Sequence, residues 1–245
     1  MIVDVHCHLD FDDFNKDLDE VIERARKAGV VKIITSGTSK KSNEEILKIR
    51  DKYDIVEVSM GFYPTEVNLK NIDDEISFVR EHKKDIFAIG ECGLDYKEAT
   101  NKEEQQRCFK KIIKLSEEIN KPLIIHSRKA EADVLDLLEK SSNKKIILHC
   151  FSANMKLVQR AIDLGYFFSI PTVITRLEHF KEVVKRVPLN KILTETDAPF
   201  LSSVKGGRNE SAFIVETIKE IARIKDLDKK EVESIVFMNY QQVFS

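Results

Sequence analysis

The chain has 245 residues, of which 42% are hydrophobic and 33% charged, a composition that fits a folded globular protein and excludes a largely disordered one. Its formal net charge of −2 at pH 7 excludes a generally basic surface, so any phosphate site must be local. No apolar run reaches membrane-spanning length, and we expect a cytoplasmic protein with no membrane association and no obligatory protein partner.

Short apolar runs alternate with amphipathic stretches along the whole chain. The predicted strands are residues 2–8, 30–35, 55–60, 86–91, 122–126, 145–149, 166–170 and 191–196. The predicted helices are residues 18–28, 43–52, 74–83, 103–119, 132–139, 155–164, 177–185 and 212–223, with one further helix at 229–244.

The strands are rich in Ile and Val and apolar on both faces, which favours a parallel sheet covered by helices. About eight β-α repeats in a chain of this length predict an α/β protein with a single (β/α)8 TIM barrel and an extra C-terminal helix. We expect one domain over residues 1–245. A doubly wound open sheet is the alternative, but no glycine-rich nucleotide-binding loop supports it.

The first predicted strand carries two histidines, His6 and His8. Alternate side chains of a strand face the same side, so the two imidazoles should project together. Taken alone, the pair fits metal chelation and two ordinary strand-end histidines equally well.

Further side chains of the kind that bind metals end four other predicted strands: Glu91, His126, His149 and Asp197. A TIM barrel builds its active site at the carboxyl ends of its strands, where these side chains and the histidine pair would converge. Four imidazoles and two carboxylates are enough for two divalent ions if one carboxylate bridges, with Zn, Mn or Mg as candidates. Paired ions of this kind activate water for hydrolysis.

Five segments of the chain resemble, in order, the signature segments of the TatD family of metal-dependent hydrolases and DNases. They are residues 4–9 (DVHCHL), 90–96 (GECGLDY), 122–128 (PLIIHSR), 148–152 (LHCFS) and 195–199 (ETDAP). The resemblance implies one ion held by His6, His8, Glu91 and Asp197, and a second held by Glu91, His126 and His149, with Glu91 bridging. It also implies DNA as the substrate, cleaved at its phosphodiester bonds as a 3′-to-5′ exonuclease acting on single-stranded ends.

Several side chains have predicted roles in this chemistry. Asp197 can orient the attacking water and take its proton as general base. Arg128 is a candidate phosphate contact because a guanidinium matches the geometry of phosphate oxygens. Tyr63 stands where many TatD proteins have a histidine, and its phenol can donate a hydrogen bond without carrying positive charge near pH 7. Arg208 is a further candidate substrate contact, although its segment fits a solvated glycine turn nearly as well.

Other activities remain open at this stage. The same metal chemistry serves ester or amide hydrolysis, such as cleavage of a D-aminoacyl-tRNA ester. A non-catalytic metal-binding protein is disfavoured, because structural zinc sites usually close with four protein ligands. We expect Glu195 to point inward below the metals in a supporting role, and Cys7, Cys92 and Cys150 to face the outer helices as buried apolar groups.

Overall fold

Eight parallel strands, each paired with the next in the chain, make up the sheet of the computed structural model, which describes residues 1–245. The strands are β1 Ile2–Cys7, β2 Val30–Ser36, β3 Val56–Met60, β4 Ala88–Asp95, β5 Leu123–Arg128, β6 Ile146–His149, β7 Phe167–Pro171 and β8 Ile192–Glu195. The sheet curls into a (β/α)8 TIM barrel, which confirms the predicted fold class.

Nine α-helices surround the strands: α1 Leu18–Lys27, α2 Lys40–Lys52, α3 Ile72–Glu81, α4 Lys102–Ile119, α5 Glu131–Leu138, α6 Met155–Asp163, α7 Glu178–Arg186, α8 Ile214–Lys225 and α9 Lys229–Phe244. The last is the additional C-terminal helix that the sequence predicts. None of the nine combines the length and apolarity needed to cross a bilayer.

Strands β1, β4, β6, β7 and β8 are buried at every residue. This follows from the apolar character of both strand faces, because one face fills the barrel and the other lies under the helices. The buried apolar side chains form one continuous cluster. The rigid barrel therefore holds the polar side chains at its strand ends in fixed positions.

The side chain of Asp4 links β8 to β1 where the barrel closes. This carboxylate accepts hydrogen bonds from the backbone N–H of Thr196 at 2.9 Å and from its hydroxyl at 2.7 Å. The hydroxyl of Ser211 donates a third bond at 2.6 Å. Below them, Thr194 Oγ1 donates to the carbonyl of Val3 at 2.7 Å. Asp4 thus ties the last strand to the first immediately beneath the ligand-type residues of both.

Strand β4 is longer than predicted, because it continues past Glu91 and through Gly93 to Asp95. Gly93 has φ +146°, and a Cβ at this position would lie 2.0 Å from the carbonyl oxygen of His126 on β5. Only glycine allows β4 and β5 to approach so closely. The extension carries Asp95 up to the carboxyl end of β5, where the sequence does not predict it.

Candidate metal centre

The six predicted metal ligands meet at the carboxyl ends of five strands. They are His6 in β1, His8 just beyond it, Glu91 in β4, His126 in β5, His149 at the end of β6, and Asp197 two residues past β8. All are buried or nearly so, and only Asp197 and His126 have more than a tenth of their side chains exposed.

The carboxylate of Glu91 lies between two pairs of histidines. Its Oε2 is 3.6 Å from Nε2 of His6 and 3.3 Å from Nε2 of His8. Its Oε1 is 2.6 Å from Nδ1 of His126 and 3.7 Å from Nε2 of His149. Each oxygen of one carboxylate therefore faces a different pair of imidazoles.

Asp197 lies on the side of the first histidine pair. Its Oδ1 is 3.3 Å from Nε2 of His6 and 3.5 Å from Nε2 of His8. The backbone N–H of Asp197 donates to the carbonyl of His6 at 2.9 Å, and its φ is +57°, a left-handed conformation that aspartate tolerates better than most residues. The turn after β8 is thus held against the end of β1, and the carboxylate with it.

Two groups of three residues place ligand atoms within 4.8 Å of one another: His6, His8 and Asp197, and His6, Glu91 and His149. His126 belongs to neither group and joins the cluster through Glu91. The predicted division into two ligand sets agrees with the way Glu91 faces the histidines, while His6 lies close to both.

The first two histidines are oriented by Ser36 at the end of β2. Nδ1 of His8 donates to the backbone carbonyl of Ser36 at 2.9 Å, and Nδ1 of His6 lies 3.0 Å from its hydroxyl. A carbonyl can only accept, so Nδ1 of His8 carries a hydrogen and Nε2 is the nitrogen that faces the cluster.

Two buried carboxylates orient the other histidines. Glu195 accepts from Nδ1 of His149 at 2.9 Å, which leaves Nε2 of His149 for the cluster. Asp95 accepts from Nε2 of His126 at 3.2 Å, so His126 presents Nδ1 instead. The supporting role predicted for Glu195 is confirmed. The sequence does not predict this role for Asp95, although Asp95 lies an even number of residues after Glu91 in β4 and within the TatD-like segment 90–96.

A divalent cation fits this donor set. Nε2 of His6 is fully buried, faces the carboxylates and has no hydrogen-bond partner, so this nitrogen is available to bind a cation. Burial alone would raise the pKa of Glu91. The neighbouring imidazoles, above all that of His126, instead hold this pKa well below its usual range. Burial opposes charge on His149 as well, yet Glu195 and Asp197 raise its pKa to about 10. The cluster thus pairs ionised carboxylates with imidazoles, as zinc and manganese sites do.

A cavity of about 650 Å³ opens above the cluster. Arg128 lines it, with Nη1 donating to Glu98 at 2.6 Å and lying 3.9 Å from Asp95. Tyr63 lines it too, and its hydroxyl donates to Asp95 at 2.9 Å. Both predicted substrate contacts therefore lie beside the site, on the side of His126.

The structure places Arg208 elsewhere. Its guanidinium donates to both carboxylate oxygens of Asp17, at 2.7 and 2.6 Å, and to the backbone carbonyl of Asp13. It also lies over the ring of Phe14, and it is not among the residues that line the cavity. A role in substrate binding stays a prediction and would require the pair with Asp17 to open.

The expectation for the cysteines holds for two of the three. The thiols of Cys7 and Cys92 are buried and donate to backbone carbonyls of the neighbouring strands. Cys150 is only half-buried, has φ +43° and lines the cavity, so its prediction was wrong. The reason is that β6 ends at His149, and strand alternation does not extend to the next residue.

Comparison with known proteins agrees with this geometry. The family described as TatD related DNase matches residues 3–245. An uncharacterized metal-dependent hydrolase of Methanocaldococcus jannaschii is 37% identical over 99% of this chain and 96% of its own. Deoxyribonuclease TATDN3 of Homo sapiens is 33% identical over 99% of this chain and 94% of its own. The crystal structure of YjjV, a TatD homolog from Escherichia coli, has a TM-score of 0.92 at 25% identity, covering 99% of this chain and 97% of that chain.

A parallel barrel that gathers imidazoles and carboxylates at its carboxyl rim defines a class of metal-dependent hydrolytic enzymes. Both the fold and the site place this protein in that class. The chain belongs to the TatD family, across nearly its whole length.

Proposed function

We propose that this protein is a two-metal deoxyribonuclease that removes nucleotides from the 3′ ends of single-stranded DNA. The observation that carries the proposal is the placement of Glu91, whose two oxygens face two separate pairs of histidines. The family description and the name of the human relative support DNA as the substrate. The single continuous apolar cluster supports one domain over residues 1–245.

The way in which Glu91 faces the two pairs of histidines supports the ligand assignment. In this proposal His6, His8, Glu91 and Asp197 hold one ion, and Glu91, His126 and His149 hold the other. When bound, two divalent ions would lower the pKa of a water molecule and offset negative charge on the phosphoryl oxygens. The candidates are Zn, Mn and Mg, of which the imidazole-rich donor set favours the first two.

Asp197 is our candidate for the general base. Its contacts with the histidines use Oδ1, so Oδ2 is available to orient a water molecule and accept its proton. Burial by itself would raise the pKa of Asp197, but His149, His6 and His8 lower it well below the usual range, so the side chain is a carboxylate that can accept a hydrogen bond from the water molecule. Its side chain is 14% exposed, against 4% for Glu91, and it faces the cavity.

Arg128 is our candidate phosphate contact. Its guanidinium reaches the cavity beside His126 and already binds one carboxylate, that of Glu98. A substrate phosphate would replace Glu98 as the acceptor, which costs little because exposed ion pairs contribute about 0–1 kcal/mol. Tyr63 can donate only if it turns from Asp95, and Arg208 only if it leaves Asp17.

The size of the cavity supports single-stranded ends as substrate. About 650 Å³ lies within the range of pockets that enclose one small ligand, which fits a nucleotide at the end of a single strand.

Hydrolysis of oligonucleotides tests this proposal. We expect the manganese-loaded protein to shorten 5′-labelled single strands one nucleotide at a time, and a duplex with blunt ends far more slowly. A phosphorothioate linkage at the 3′ terminus should block shortening, whereas the same linkage at the 5′ terminus should not. D-aminoacyl-tRNA serves as the comparison substrate. Turnover of that ester without loss of any DNA would overturn the assignment.

A further inference from the structure

One wall of the cavity presents an exposed aromatic ring that the hydrolytic chemistry does not use. Phe200 is 50% exposed, although large apolar side chains are usually buried. Of the six large apolar residues with exposed side chains, it alone lines the cavity. Its position in the cavity wall beside His8, rather than its exposure alone, makes it a candidate substrate contact.

Phe200 lies next to the predicted metal centre. Its backbone N–H donates to the carbonyl of Asp197 at 2.8 Å. Its ring meets Phe11 edge to face, with centroids 5.7 Å apart, and Phe11 in turn stacks on His8 at 4.8 Å. These contacts form a continuous aromatic path from a predicted metal ligand to the cavity wall. Phe200 therefore has a fixed position one ring beyond the site.

The two sides of the cavity differ in chemistry. The side of His8 carries Phe11 and Phe200, while the side of His126 carries Arg128. An anionic group suits the guanidinium, and a flat apolar group suits the phenylalanines. A nucleotide unit contains both, because its sugar joins a phosphate to a base.

We propose that Phe200, supported by Phe11, is a stacking platform for the nucleobase next to the scissile phosphate. This inference rests on the proposed function, since it needs DNA at the site. Every base has a face that can stack on an aromatic ring, so the platform would bind single strands without reading their sequence. A duplex would not benefit, because its bases are already stacked on one another.

Substitution of the ring combined with removal of the base tests the platform. The substrates are two single-stranded oligonucleotides, one with a normal 3′-terminal nucleotide and one with an abasic 3′-terminal residue. The variants are Phe200→Ala, the aromatic replacement Phe200→Trp, and Met238→Ala, which truncates an equally exposed apolar side chain on α9. Both kcat/KM for hydrolysis and Kd for the phosphorothioate form of each oligonucleotide are measured.

We expect Phe200→Ala to lower kcat/KM on the normal oligonucleotide roughly 5- to 150-fold, the range that loss of one base–aromatic stack gives. Kd should rise by a similar factor, and Phe200→Trp should restore both. On the abasic oligonucleotide, the kcat/KM and Kd of Phe200→Ala should approach those of the wild type. Met238→Ala should match the wild type on both oligonucleotides.

A penalty of equal size on both oligonucleotides would show that Phe200 only supports the fold of the site, and no penalty on either would exclude contact with the base. If the wild type hydrolysed neither, the proposed function would fail. The Kd values would then test the stacking platform separately. Equal affinity of the wild type and Phe200→Ala for the normal oligonucleotide would overturn the platform.

Discussion

The carboxylate of Asp95 lies 3.2 Å from Nε2 of His126, while Nδ1 of the same ring lies 2.6 Å from Glu91. The imidazole is therefore held between a supporting carboxylate and a predicted ligand. Asp95 is itself fixed, because its Oδ1 accepts from the backbone N–H groups of Lys97 and Glu98 at 2.8 and 2.9 Å. Oδ2, which also accepts from Tyr63, is left for the histidine, so Nε2 of His126 carries a hydrogen and Nδ1 is the nitrogen that faces the metal centre.

Replacement of Asp95 by asparagine should weaken metal binding without unfolding the barrel. The two backbone N–H groups would keep the amide oxygen at the Oδ1 position, so the NH2 group would face Nε2 of His126. The ring would then take the wrong tautomer, and we expect a roughly 10- to 100-fold loss of metal affinity, as is typical of such supporting residues. Competition with a chromophoric chelator measures it. Unchanged affinity would mean that Asp95 does not orient His126.

Asp4→Ala should destabilise the protein, because it removes the carboxylate that ties β8 to β1. Four donors would lose their acceptor in a buried place: the N–H and hydroxyl of Thr196, the hydroxyl of Ser211 and, at 3.4 Å, the N–H of His6. Since the hydroxyls can turn to other acceptors, we expect a loss of roughly 2–4 kcal/mol in the free energy of unfolding. Urea denaturation of metal-free protein measures it, with the exposed Glu231→Ala as control. A change as small as that of the control would be inconsistent with this role.

Arg208→Ala should affect stability rather than substrate binding. Hydrogen bonds from Arg208, and then from Arg24, lower the pKa of Asp17 to about 2. A lowered carboxylate pKa contributes stability that is present above the unfolded value near 4 and lost as pH falls through the folded value. The difference in unfolding free energy between wild type and variant should therefore be seen at pH 5–7 and diminish toward pH 2.

The KM values of Arg128→Ala and Arg208→Ala distinguish the two arginines predicted to bind substrate. Arg128→Ala should raise KM for single-stranded DNA by about tenfold, the loss of one charge-assisted contact of some 1.5 kcal/mol. Arg208→Ala should leave KM within about twofold, since its guanidinium is engaged by Asp17. A large rise in KM for Arg208→Ala would instead place that arginine on the substrate.

Metal binding should release protons and strengthen as pH rises. In the metal-free site the pKa of His149 is raised to about 10, and that of His8 also lies above its ordinary value despite burial, because Asp197 and Glu91 face it. A cation must displace protons from such imidazoles. Calorimetric titration of Mn²⁺ at pH 7 in two buffers of different ionisation enthalpy measures the number released. Identical heats in the two buffers would contradict the prediction.

The fold and the ligand cluster could both be predicted from the sequence, for one physical reason. In a parallel barrel, the order of the strands in the chain determines which strand ends lie side by side. Residues at the ends of apolar runs, such as His6 and His149, can therefore be assigned to one rim of the barrel from the sequence. Their assignment to two ions stays a prediction, as do the roles of Asp197 and Arg128.

The supporting residues could not be predicted in the same way. Asp4 acts on Thr196 and Ser211, which lie 192 and 207 positions further along the chain, and no local pattern signals such a contact. Asp95 follows Gly93, which suggests the end of a strand until the close approach of β5 is known. Phe200 resembles any core phenylalanine in the sequence, and only the folded turn after β8 leaves it exposed.

The most direct test of the central claim is the rate of single-stranded DNA hydrolysis as Mn²⁺ is added to metal-free protein. We expect no hydrolysis before metal is added, and a maximal rate once two equivalents per chain are bound. Glu91→Ala, which removes the carboxylate between the histidine pairs, should abolish hydrolysis at every Mn²⁺ concentration. Hydrolysis by the metal-free protein, or an undiminished rate in Glu91→Ala, would contradict the two-metal account.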